Sequence, residues 1–467
     1  MNKYINFINE EFKECNDLIY KKIKINFKTY HIYYLETVSS GDRINDYILK
    51  SISNTKTLLN INKTLPSPNI KEINNKDKIK YYLYSGYTII INSNKIYAIE
   101  TKADLDRSIT ESTTEPTLYG PKDSLVENII KNLGLIKRRL KTNHLKNKVK
   151  VIGRNTKTTT NILYIDNITD LKLVTDIENK LDKIDIDGIL DAGNLKRILD
   201  NSKNPFPTIK LTERPDLICN ALLNGKIVIL VDYSPYALIM PAFLADFINP
   251  VSDNYSKPIN NNFLKLMRLL CFIFSIIIPA YYIAVTNYNQ ETLPLPLLLN
   301  FTTQRSGVPF PAIVEAFVMI VICEILKESD LRFPNNYGSA ISILGALILG
   351  EAAVNAGIVS PIMIIVVAIT FISSLLFSDS EISGAIRIWR FIFLIFTAFF
   401  GLYGLSLAIL CLLINLVSYK SMIASYTFPV EPFDTNYLKD TLLGGKNNKR
   451  SSYLTNNITK MSKDNIK

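Results

Sequence analysis

The stretch Gly345-Ala346-Leu347-Ile348-Leu349-Gly350-Glu351-Ala352-Ala353-Val354-Asn355-Ala356-Gly357 decides how this chain is read. It lies inside residues 333–378, a run of 46 residues with one charged side chain, Glu351. A carboxylate in a membrane-length apolar run costs roughly 2.5–3.5 kcal/mol on insertion scales, so such groups usually face a bundle interior or a polar pathway. The small residues around it let helices approach closely or leave room for water and ions. Ser342, Ala346 and Asn355 are read with Glu351 as candidates for an ion pathway or its gating, Asn355 lying one turn beyond it on the same helix side. The blander alternative is a protonated Glu351 that only glues neighbouring helices.

The run breaks at Asn355-Ala356-Gly357-Ile358-Val359-Ser360-Pro361. Gly357 suits a helix C-terminus, and Ser360-Pro361 suits an N-cap followed by the first helical residue. Non-helical backbone at membrane depth is tolerated only under protein or beside water. A deep break therefore borders a cavity, and a shallow one is a hairpin turn.

Outward from this stretch, residues 263–419 are mostly apolar, whereas residues 1–260 are rich in Lys, Asn, Asp and Ile. That division predicts a soluble head joined to a membrane domain. A first span is expected over 263–285, with Lys265 and Arg268 as membrane-entry anchors and Pro279 as a kink. Residues 293–299 are too short and proline-rich to span. Phe310-Pro311 opens a helix of about 15 residues, which reaches only about 22 Å. On it Glu315 and Glu324 fall on opposite faces. Glu315, Glu324, Glu328 and Arg332 are read as a candidate polar rim, with Lys327 one turn after Glu324 and Arg332 one turn after Glu328 spaced for salt bridges. Arg387 and Arg390 precede the last apolar stretch, 391–417, which Gly401 and Gly404 divide. The expectation is four spans with one or two half-spans. Residues 420–467 form a basic tail; from Tyr419 onward eight Lys/Arg face four Asp/Glu, a net of +4. Both ends are expected on the cytoplasmic side. The first residues lack an apolar h-region, which predicts no cleavable signal and a cytoplasmic head.

Within the head, two strand–strand–helix units repeat: residues 21–52 and 148–184. Ser85-Gly86 before one apolar strand parallels Asn224-Gly225 before another. The reading is an α/β head of two similar subdomains, 1–112 and 113–262, followed by an α-helical polytopic membrane domain, 263–419. Residues 115–121 form a turn-rich linker. The helix after it ends in Lys137-Arg138-Arg139, read as a solvated helix end favoured by the macrodipole.

Five cysteines without a CxxC pair exclude a disulfide framework and argue against zinc. Two histidines, His31 and His144, leave almost nothing for triad or histidine-metal chemistry. Gly444-Gly445-Lys446 lacks the spacing of a phosphate loop. No enzyme, cofactor or metal is expected. The net charge of +11 fits basic cytoplasmic parts better than nucleic acid, since no basic-aromatic interleaving accompanies it.

Several ordered motifs resemble the A subunit of GerA-type spore germinant receptors. Thr212-Glu213-Arg214-Pro215-Asp216 with Asp232-Tyr233-Ser234-Pro235 is similar to that family's pre-membrane signature. Val308-Pro309-Phe310-Pro311, Glu315 and Glu324 through Pro334 are similar to its next element. Gly350-Glu351-Ala352-Ala353-Val354 with Gly357-Ile358-Val359-Ser360-Pro361 is the most specific match. Residues 421–426 depart from the family's Ser-Phe-Gly-Val-Pro-Tyr run.

The resemblance implies a nutrient-receptor subunit in the spore inner membrane. It implies a multispan, nutrient-binding B subunit and a lipoprotein C subunit as partners. It also implies self-association into a homo-oligomeric ring that conducts cations, in contact with membrane lipid. Glu351 would then lie on or near the ion path, because rings of acidic groups favour cations. The alternative is a related stage V sporulation membrane protein that assists ion or dipicolinate release without sensing nutrients; neighbouring genes would separate the two.

Overall fold

The computed structural model describes residues 2–12, 15–25, 28–51, 65–67, 69–73, 76–92, 95–103, 115, 120–249, 258–332, 350–377, 379–422 and 424–431. Of the residues singled out above, Ser342 and Ala346 lie outside the described residues.

The chain divides into two units. The first holds residues 1–201 and 208–242, and its described part is built twice on one plan. Helix α1 (Asn2–Glu11) precedes strands β1 (Leu18–Ile25) and β2 (Lys28–Leu35). A short helix α2 (Gly41–Ile44) runs into a π-turn, then β3 (Ile70–Glu72), α3 (Lys76–Tyr84), β4 (Tyr87–Asn92) and β5 (Lys95–Glu100) follow. The second copy runs α4 (Ile129–Arg139), β6 (Leu145–Ile152), β7 (Thr158–Ile165), α5 (Leu171–Asp182), α6 (Ala192–Leu199), β8 (Lys210–Thr212), α7 (Pro215–Leu223), β9 (Ile227–Val231) and β10 (Ala237–Met240). The sheet orders correspond, β1-β2-β4-β5-β3 and β6-β7-β9-β10-β8, and the paired strands within each sheet run antiparallel.

Sequence explains why both copies fold alike. The strands β4 and β9 are buried along nearly their whole length, so helices cover both faces of each sheet. In β4, Ile89 and Ile91 enter one core with α1 and α3, while Ile90 enters the other with Ile44 and Ile48. In β9, Val228 and Leu230 join the core under α4 and α7. The turns correspond too. Gly86 and Gly225 have φ of 81° and 85°. A Cβ on Gly86 would meet the Val38 carbonyl oxygen at 2.6 Å, so the turn requires glycine. Ser40 and Asp170 occupy the same N-cap position, each accepting a backbone N–H of the helix it opens.

The basic run at the end of α4 is not a solvated helix end. The Lys137 side chain is 1 % exposed, and its Nζ donates to both Asp17 carboxylate oxygens at 2.5 and 2.6 Å. Thr37 Oγ1 also donates to Asp17, at 2.6 Å. Arg139 pairs with Asp123 at 2.6 Å. Two of the three cations therefore hold structure, and Lys137 joins the two subdomains.

The Thr212–Asp216 motif acts as a clamp. Buried Arg214 makes a bidentate contact with Asp216, at 3.1 and 2.8 Å, and donates to the backbone oxygens of Glu115 and Pro121. Thr212 Oγ1 donates to Glu115 at 2.6 Å. The described ends of the linker are thereby tied to α7.

The second unit comprises residues 202–207 and 243–445. It contains α8 (Leu244–Ile248), α9 (Pro258–Ile283), α10 (Leu295–Arg305), α11 (Ala312–Arg332), α12 (Pro361–Leu375) and α13 (Ser380–Ser418). It thus begins at Phe243, earlier than residue 263. After α13 a two-strand hairpin, β11 (Lys420–Ser421) with β12 (Ala424–Ser425), returns toward α8, with Leu244 N–H donating to Tyr426 O at 3.1 Å. Asn204 Nδ2 donates to Asn415 Oδ1 at 3.0 Å, and Ser202 meets Tyr419 at 2.6 Å, which is why residues 202–207 belong to this unit.

Two helices, Asn260–Tyr288 and Ser380–Ser418, are long and apolar enough to cross a membrane, and Pro361–Leu375 is shorter and apolar. The expectation of four spans therefore meets two such helices among the described residues. Helix α11 is 21 residues long, about 31 Å, and not the short piece expected. Its last turns carry several charges, Glu324, Lys327, Glu328, Asp330 and Arg332 among them. In this unit large apolar side chains face outward while several polar ones are buried. Along α12, Ile365, Ile369 and Ile372 are exposed, whereas Thr370, Ser373 and Ser374 are buried. Helix α13 exposes Phe399, Phe400, Tyr403, Leu413 and Ile414. An apolar exterior over a partly polar interior suits an apolar surrounding.

Candidate functional site

The helix break lies where α11 meets α12. Residues 350–355 are helical and end in a Schellman motif: Ile358 N–H donates to Ala353 O at 3.0 Å, and Gly357 N–H to Val354 O at 2.9 Å. Gly357 has φ of 65°, and a Cβ there would lie 3.3 Å from Gly307 O. Val359 and Ser360 are buried, so protein covers the break. Ser360 takes the N-cap position of α12 and Pro361 follows at N1, but the Ser360 hydroxyl does not cap its own helix.

That hydroxyl is used by Glu315 instead. Glu315 sits in the first turn of α11, where negative charge is favoured, and its side chain is 0 % exposed. Its Oε2 accepts both Ser360 N–H and Ser360 Oγ–H, each at 2.9 Å. Arg305, at the end of α10, brings Nε to 3.8 Å from Oε1, an ion pair too long to be a hydrogen bond. The carboxylate thus latches the break, with one oxygen bound and the other facing a cation.

A second polar centre joins three helices. Arg390 of α13 is buried; its Nε donates to Ser275 O on α9 at 2.7 Å, and its NH1 to Glu324 Oε1 on α11 at 3.2 Å. Arg387 Nε stands 2.8 Å from Glu324 Oε2. Lys327 Nζ donates to Ser383 Oγ at 2.6 Å.

Helix α13 is broken at Gly401, whose φ of 58° and ψ of −137° are not helical. A Cβ there would fall 2.8 Å from the Tyr288 Cβ and Cγ. The Tyr288 hydroxyl donates to Ala398 O beside the break. Gly401→Ala faces both a forbidden backbone region and a clash, costing roughly 1–3 kcal/mol or more. A lowered midpoint of thermal unfolding in detergent is the expected result, with Gly384→Ala, where a Cβ meets open space, unchanged.

The family model described as "Bacillus/Clostridium GerA spore germination protein" matches residues 6–451. The chain belongs to the GerA family. "Spore germination protein KA" of Bacillus subtilis (strain 168) is 36 % identical over 446 residues, covering 93 % of this chain and 82 % of the relative. "Spore germination protein GerLA" of Bacillus cereus is 31 % identical over 437 residues, covering 91 % and 89 %. The crystal structure of the N-terminal domain of the A subunit of the Bacillus megaterium spore germinant receptor GerK3 is 28 % identical. It covers 52 % of this chain and 95 % of that one, with a TM-score of 0.40.

In this GerA-family chain the singled-out residues separate into groups. Glu315, Gly357, Ser360 and Pro361 converge on the break. Glu351 and Asn355 are exposed on the helix that leads into it. Of the candidate rim, Glu324 reaches across to Arg387 and Arg390 of α13. Glu328 and Arg332 lie in the last turns of α11, which ends at Arg332. Lys265 and Arg268 lie half-buried in the third and fourth turns of α9. Sequence reasoning missed Arg305 and the burial of Arg390. A signal for the former existed: between residues 269 and 323 the only charged side chains are Glu291, Arg305 and Glu315.

Proposed function

We propose that this chain is the A subunit of a nutrient receptor in the spore inner membrane, with its head in the cytoplasm, and that it assembles with further copies into a ligand-gated cation channel. A multispan, nutrient-binding B subunit and a lipoprotein C subunit are its expected partners, and the head assembles rather than catalyses. Membership of the GerA family supports the role in germination. The observation that carries the channel reading is a helix break held by a buried carboxylate, Glu315, with a second carboxylate, Glu351, exposed on the helix entering it. In a ring of copies Glu351 would form an acidic collar that attracts cations. Movement of the Glu315–Ser360 latch would shift that helix relative to α12.

Potassium release from spores after nutrient addition tests this reading. Glu351→Gln and Glu351→Leu, at matched protein levels, should slow release roughly tenfold if the collar carries charge to the pore. Release at the wild-type rate in both variants would remove Glu351 from the path.

A further inference from the structure

Three polar atoms of the second unit are buried near one another without a hydrogen bond among the described residues: Glu315 Oε1, Arg305 Nε and the Tyr282 hydroxyl. The Glu315 side chain is 0 % exposed, and Tyr282 is 7 % exposed. Tyr282 stands close to Ser360 and within electrostatic reach of Glu315 and Arg305. Buried polar atoms are nearly always paired, so a cluster left open marks a place for a small polar occupant. Arg305 fills that place loosely. Its Nε is 3.8 Å from Glu315 Oε1, and its NH1 reaches Asn287 Oδ1 at 3.4 Å.

Beside the guanidinium lies a cavity of about 260 Å³, lined by Thr286, Gln290, Thr302, Arg305 and Ser306 together with apolar side chains. Each hydroxyl there has given its proton to a backbone carbonyl. Thr286 donates to Tyr282 O at 2.8 Å, Thr302 to Leu298 O at 2.8 Å, and Ser306 to Thr303 O at 2.7 Å. Gln290 Nε2 donates to Thr286 O at 2.8 Å, which leaves its Oε1 to accept. The cavity thus offers acceptors, and these match a guanidinium, which has only donors.

We propose that Glu315 Oε1 and the Tyr282 hydroxyl form a monovalent-cation site, and that Arg305 is its tethered occupant. When the guanidinium moves into the acceptor-lined cavity, an ion such as potassium takes its place. Oxygen ligands suit such an ion. One carboxylate matches one charge: between residues 269 and 323 the charged side chains are Glu291, Arg305 and Glu315, and residues 333–349 hold none. The part this exchange plays in gating rests on the channel reading above; the site itself does not.

Thermal unfolding of the full-length protein in nanodiscs of zwitterionic lipid tests it, in potassium chloride and in choline chloride at equal ionic strength. The wild type should unfold alike in both, because Arg305 fills the site. Arg305→Gln should unfold roughly 2–4 °C higher in potassium, since the ion then stabilises only the folded state. Arg305→Lys keeps a tethered cation, and Arg305→Gln/Glu315→Gln removes the carboxylate; neither should distinguish the salts. Equal midpoints for Arg305→Gln in the two salts, or its failure to fold in potassium, would overturn the proposal. So would a potassium dependence that persists in the double variant. A wild type that passes no current with nutrient, beside potassium-dependent unfolding of Arg305→Gln, would remove the channel reading and keep the site.

Discussion

Glu315→Leu will destabilise the second unit more than any other single change on α11. It leaves the Ser360 N–H and hydroxyl without their shared acceptor and Arg305 without the carboxylate 3.8 Å away. Removing one member of a buried charged contact costs about 3–5 kcal/mol, most of it from the partner left behind. Glu315→Gln keeps an oxygen for Ser360 and loses only the charge, so about 1–2 kcal/mol is expected. Thermal unfolding of the purified full chain should therefore rank wild type above Glu315→Gln and Glu315→Leu last. Unfolding of Glu315→Leu at the wild-type midpoint would mean that the latch contributes nothing to holding the break.

The second large effect is expected in the head. Lys137→Met strands the Asp17 carboxylate in a buried site, and Asp17→Leu strands the Lys137 ammonium. Each should cost about 3–5 kcal/mol. The double change Lys137→Met/Asp17→Leu removes both charges and should cost much less than the sum, because contacting residues couple. Hydrogen exchange in the full chain provides the readout. Amides of α4 and of residues 15–18 should lose protection in the single variants and regain much of it in the double. Additive losses would show that the pair does not couple the subdomains.

The repeated head was legible because its determinants are local. Apolar alternation marks the strands, Gly86 and Gly225 mark the turns, and Ser40 and Asp170 mark the helix starts. The edge strands Ile70–Glu72 and Lys210–Thr212 were not legible, being three residues each and defined only by their partners. Lys137 looked solvated because a basic helix end usually is, and Asp17 is 120 positions away.

The membrane unit follows the same rule. Gly357, Ser360 and Pro361 announce a break through backbone chemistry that lies within seven residues. Gly401 announces a division in the last helix. What Glu315 grips could not be read, since 45 positions separate it from Ser360 and nothing local distinguishes it from a rim carboxylate. Arg387 and Arg390 read as orientation markers because sequence alone cannot distinguish a cation facing water from one facing Glu324.

Ion selectivity of the receptor reconstituted in planar bilayers tests the central claim most directly. The wild type should pass potassium and exclude chloride once nutrient is added. Glu351→Lys should move the reversal potential toward that of chloride, because a ring of positive charge replaces a ring of negative charge. An unchanged reversal potential, with conductance and assembly intact, would contradict the account and place the cation path away from Glu351.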